Sequence, residues 1–75
     1  MKIADLTSQF HKCVCIKSSE VYYLEVGDEA KMTNDSGVLH IKWIISIGSE
    51  NGKFMEMRFA VNKSKFVQDH FDIIK

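Results

Sequence analysis

The 75-residue chain has no proline, one tryptophan, two cysteines and no excess of either charge. Without proline, no apolar run loses a ladder amide to a ring nitrogen. Ten basic against ten acidic residues leave a formal net charge of zero, lacking the basic excess of a dedicated DNA binder and the acidic excess of a DNA mimic. No apolar run is long enough to span a membrane, and Met1-Lys2-Ile3-Ala4-Asp5 lacks the charged-then-apolar layout of a signal peptide. Cys13 and Cys15 sit two positions apart, too close to staple distant elements. Reduced thiols in a cytoplasmic protein are the expectation.

What is present is alternation. In 29–33, Ala30 and Met32 point one way while Glu29, Lys31 and Thr33 point the other. In 38–47, Leu39, Ile41, Trp43, Ile45 and Ile47 form an apolar row, and Met55, Met57, Phe59 and Val61 repeat it in 53–61. Period two means strand, because successive side chains leave opposite faces of the pleat. The three runs predict a meander with one apolar face. At 45% hydrophobic, residues 1–75 can fill one small core, so a single domain is expected, the whole of a short gene product.

The flanking segments are read with the same rules. Ile3, Leu6 and Phe10 have helical spacing, which predicts a short amino-terminal helix or turn over 3–10. Residues 12–17 and 21–26 are rich in strand formers and predict two more strands, separated by Ser18-Ser19-Glu20. In the tail, 64–70 predicts a short helical turn and 71–74 a final strand; a longer carboxy-terminal helix is the alternative.

Hairpin parity sets registers. Centring the 34–37 loop on Asp35-Ser36 pairs Thr33 with Val38, Met32 with Leu39, Ala30 with Ile41 and Glu29 with Lys42. Around Asn51-Gly52, a strong hairpin signal, strict pairing would set Ile47 opposite Glu56. A bulge at Gly48 instead pairs Ile47 with Met57, Ile45 with Phe59 and Trp43 with Val61, and Ile44 then meets Ala60.

The Val26-Gly27-Asp28 step into an alternating strand, the two hairpins and the turn into Phe71-Asp72-Ile73-Ile74 resemble the small SH3-like barrels over residues 21–75. The resemblance implies a mainly β fold, a five-stranded barrel or a strongly curled antiparallel sheet. It implies no ligand. The acidic loop and paired tryptophans of proline-rich-peptide binders are missing, as is the glycine-centred motif of ribosome- and polymerase-associated members. Fold does not give function.

Catalytic motifs are absent: there is no GxSxG, HExxH or phosphate-loop glycine pattern. His11, Cys13 and Cys15 alternate along one strand face, where neighbours two apart lie ~6–7 Å apart; three ligands would meet one zinc only if the strand bent. Packing thiols, no metal and no cofactor are expected. The unusual residues are Ile44 and Phe54, apolar on the face that should be polar: either an exposed patch or the seat of an amino-terminal helix that packs over it through Ile3, Leu6 and Phe10. With Val38, Lys42 and Arg58 the pair defines a candidate protein-binding surface, with Tyr22 and Tyr23 as a second choice. The alternative is RNA or DNA binding by Lys31, His40, Lys42 and Arg58 beside aromatic side chains. The expectation is a non-enzymatic binding protein of the kind phages and mobile elements encode to contact host factors. A small homo-oligomer is compatible with it.

Overall fold

A computed structural model of the chain describes residues 6–74. The three alternating runs form strands, joined by one strand before them and one after. The elements are β1 (His11–Cys15), β2 (Glu29–Asp35), β3 (Val38–Ile44), β4 (Phe54–Ala60), α1 (Lys65–His70) and β5 (Phe71–Ile73). All pairings are antiparallel, in the order β4-β3-β2-β1-β5. The fold is mainly β, and its single sheet is open: β4 and β5 are its two edges. The closed form of barrel is therefore not the one adopted.

One face of the sheet carries the core. Cys13, Cys15, Ala30, Met32, Leu39, Ile41, Trp43 and Phe71 are buried there, capped by Leu6, Leu24 and Val67. Within the sheet Trp43 lies 5.8 Å from Phe71, and Phe66 of α1 bridges Tyr22 at 4.4 Å and Phe59 of β4 at 5.9 Å. The tail takes the expected form, a helix of one to two turns leading into a last strand, which pairs Phe71 with Cys15 and Ile73 with Cys13.

Both hairpin registers differ from expectation. In the first, Asp35 pairs with Val38, Met32 with Ile41 and Ala30 with Trp43. The turn is two residues long, Ser36 at φ 52° and Gly37 at φ 85°, the left-handed pair of a tight hairpin turn. Lys31 therefore meets Lys42, and Glu29 does not. In the second, Trp43 meets Met55 and Ile44 meets Phe54. Strand β3 stops at Ile44, and Gly48 starts a 3-10 turn, Gly48–Glu50, in place of the expected bulge. Its positive φ of 70° is the conformation that glycine favours.

Two flanking expectations also change. Residues 21–26 form no strand; a Ser19–Leu24 bridge closes a compact loop that drives Leu24 into the core. Among residues 6–10 there is no helix. The segment bends across the sheet, with the Asn34 amide donating to the Thr7 carbonyl at 2.8 Å. The Ile3 end of the expected helix lies outside the described residues. Among the described residues no helix is long and apolar enough to cross a membrane.

Candidate interaction surface on the outer face

The register lays out the face opposite the core as rows running across the strands. One row joins Lys12, Lys31, Lys42 and Glu56. Beside it Thr33, His40 and Arg58 align, and beyond them Asp35, Val38 and Ala60. On the other side of the lysines, Ile44 and Phe54 stand directly opposite each other. They are 62% and 60% exposed.

The candidate patch is thus two patches. Val38, 37% exposed, and Ala60 lie at the far end of β3 and β4 from Ile44 and Phe54. Six residues of strand separate the ends, ~20 Å at the usual rise. The expected Ile44–Ala60 contact does not exist. Residues 6–10 leave Ile44 and Phe54 uncovered. Lys42 and Arg58 lie between the two patches.

The four residues of the nucleic-acid alternative do come together, Lys31 opposite Lys42 and His40 opposite Arg58. Like charges directly opposite each other destabilise a ladder, and here Lys12 adds a third ammonium to the row. Sequence reasoning missed Lys12, because its place depends on where β1 joins the sheet; Phe10 was expected on this face only as part of a covering helix. The Lys42 ammonium lies over the Phe10 ring, 3.9 Å from its centroid, a contact of the cation–π kind. No ion pair engages Lys12, Lys31, Lys42, Glu56 or Arg58 among the described residues. A cleft of about 390 Å³ runs along this row, lined by the three lysines, Glu29, Ile44 and Phe54.

Tyr22 and Tyr23 are elsewhere. Both pack against the core cluster from the capping side, and Tyr23 has φ 54° in the 19–24 loop. They do not extend the outer face.

The thiols point inward and are buried. Burial, with a smaller contribution from Asp72, pushes Cys13 up to about 11. Burial likewise raises Cys15, whose thiol donates to the Lys17 carbonyl at 3.1 Å. A thiol held protonated is a poor nucleophile and a poor metal ligand. His11 has its Nε2 taken up by Thr7, whose amide donates to it at 3.1 Å. Among the described residues no three His, Cys, Asp or Glu side chains converge where a metal ion could sit.

No family model, curated protein or solved structure matches this chain.

Proposed function

We propose that this chain is a non-enzymatic binding protein whose outer face docks a protein segment carrying an apolar side chain next to acidic groups. The observation behind this reading is the directly opposed, mostly exposed Ile44–Phe54 pair at one end of a cleft lined by three lysines. As a cross-strand pair the two add only about 0.2–1 kcal/mol to the ladder, and the large apolar area they leave in water suits docking. The lysine row supplies the complement for acidic neighbours and speeds encounter. Its small size and lack of a catalytic motif suit a phage or mobile-element product that occupies a host factor. Buried, unpaired thiols suit the cytoplasm.

RNA or DNA binding is the second reading, favoured by the aligned Lys12, Lys31 and Lys42 beside the exposed rings of Phe10 and Phe54. Capture of partners on immobilised protein, with and without nuclease, followed by affinity measurement of two variants, separates the two. Under the protein reading Ile44→Glu abolishes binding, and Lys42→Glu with Arg58→Glu mainly slows association. Under the nucleic-acid reading the double charge reversal weakens binding steeply and flattens its salt dependence, while Ile44→Glu changes little.

A further inference from the structure

Among the described residues strand β4 is an open edge whose protection is limited to the charged Glu56 and Arg58. It is seven residues long, with no proline, no lysine and no bulge, the features by which natural sheets blunt an edge. The other edge, β5, has only three residues.

The hydrogen-bond phase of β4 follows from bonds at its two ends. The Val61 amide donates to the Gly37 carbonyl, and the Ile45 amide to the Lys53 carbonyl, both at 2.9 Å. Both lie in register with the β3–β4 ladder. Alternation along an antiparallel pair then turns Met55, Met57 and Phe59 toward β3. Phe54, Glu56 and Arg58 point their amides and carbonyls at the free edge, and Ala60 adds its amide.

The sequence of β4, Phe-Met-Glu-Met-Arg-Phe-Ala, is complementary to its own reverse about Met57. Set antiparallel to a second copy with Met57 opposite Met57, Glu56 faces Arg58 twice. Met55 faces Phe59 on the core side, and Phe54 faces Ala60 on the outer side. In this register the facing Glu56–Arg58 pairs are also the ones whose backbone groups point across the edge. Phase, charge and apolar pattern agree on one register.

We infer that two copies of this chain pair along β4 about a two-fold axis through Met57, forming one continuous ten-stranded sheet. The union has a consequence for the outer face. Ile44 and Phe54 of one copy come into line with Ala60 and Val38 of the other, making an apolar row four strands wide on each side of the axis. Each Glu56 then lies between Lys42 of its own chain and Arg58 of the second copy, and the acid–base pairs absent from the single chain are completed. The dimer stands apart from the proposed function; only the use of the composite row for docking rests on that reading.

The test needs purified chain alone, so its outcome is independent of any partner. Sedimentation equilibrium across a concentration series is expected to show a monomer–dimer equilibrium. Glu56→Arg and Arg58→Glu each place like charges across the axis and are expected to raise the dimer Kd at least ~10-fold. An equimolar mixture of the two variants restores opposite charges and is expected to recover wild-type affinity as a mixed dimer. Register is checked independently by oxidation: Met57→Cys faces its own copy at ~4.5 Å between Cα atoms and forms an intermolecular disulfide, whereas Met55→Cys and Phe59→Cys do not. A chain still monomeric at ~1 mM overturns the inference and leaves the edge to a foreign strand. So does a mixture that fails to associate, or cross-linking at position 55 or 59 as fast as at 57.

Discussion

Trp43 and Ile44 are adjacent in β3 and live in different environments. Trp43 is 2% exposed, its ring tilted against Phe71 in the core; Ile44 is 62% exposed, facing Phe54 across the ladder. The backbone presents both equally well, since a strand sends neighbours to opposite faces. The inner residue is constrained by volume, because interiors are close-packed. The outer one is under no such volume constraint, and its pairing with Phe54 across the ladder is a smaller contribution, about 0.2–1 kcal/mol. One face of the sheet holds the core and the other faces solvent.

The comparison breaks first at Trp43. Trp43→Ala removes the largest inner side chain and is expected to cost ~3–5 kcal/mol, comparable with the whole stability of a small domain at ~5 kcal/mol. Urea unfolding followed by circular dichroism measures it. Trp43→Phe sharpens the test. Among the described residues the buried indole Nε1 has no hydrogen-bond partner, and an unmet donor costs ~1–3 kcal/mol. Removing it offsets the lost contact area, so Trp43→Phe should stay within ~1.5 kcal/mol of wild type. A large loss in Trp43→Phe would mean that ring volume alone governs the site.

Cys13 tests the inner face by pH. Its folded value of about 11 lies above the ordinary 9.0, with burial as the main cause. The unfolded chain therefore releases this proton first as pH rises. The stabilisation is complete below pH 9.0 and is lost as pH climbs through about 11. Cys13→Ala should remove this part of the alkaline decline when unfolding curves of the two proteins are compared across that window. At neutral pH, the native thiols should react with an alkylating reagent far more slowly than those of the unfolded chain.

These two faces were legible in the sequence, while the registers were not. Met32 meets Ile41 rather than Leu39, a slip of two, and Trp43 meets Met55 rather than Val61, a slip of six. Even slips keep every side chain on its face, so alternation alone cannot detect them; a slip of one would have been obvious. What decides the first register is the turn at Ser36-Gly37, two positive φ values in succession. The second is decided by β3 ending at Ile44 although Ile45 and Ile47 continue the pattern. Of the candidate surface, Ile44 and Phe54 were visible because an apolar residue on a polar face breaks the rule. Lys12 was not, because only the β1–β2 pairing brings it there. Residues 21–26 have strand composition but form a loop, since placing Leu24 in the core and Tyr22 on Phe66 outweighs local propensity.

Gly48 tests where the alternation ends. Its φ of 70° belongs to the left-handed region, while an added Cβ would meet only Tyr23 at an ordinary 3.9 Å. Gly48→Val should therefore cost ~1–2 kcal/mol through backbone strain rather than a clash. A gain in stability, read from the same urea curves, would mean that the 45–53 loop readily takes another path.

The smallest expected effect on the fold is at Ile44. With most of its surface already in water, Ile44→Glu forfeits little burial and should shift stability by no more than ~0.5 kcal/mol. Ile41→Glu, on the same strand but wholly buried, buries a carboxylate without a partner and should unfold the chain. The pair therefore separates folding from contact within three residues of one strand. If Ile44 belongs to a docking surface, its variant keeps the wild-type circular dichroism spectrum and melting curve and yet loses a bound protein partner, because a charge at the centre of a desolvated contact removes ~2 kcal/mol or more of binding. An Ile44→Glu protein that melts as early as the Ile41→Glu protein would show that the outer face is covered after all. One that folds and binds like wild type would place the contact surface away from the Ile44–Phe54 pair.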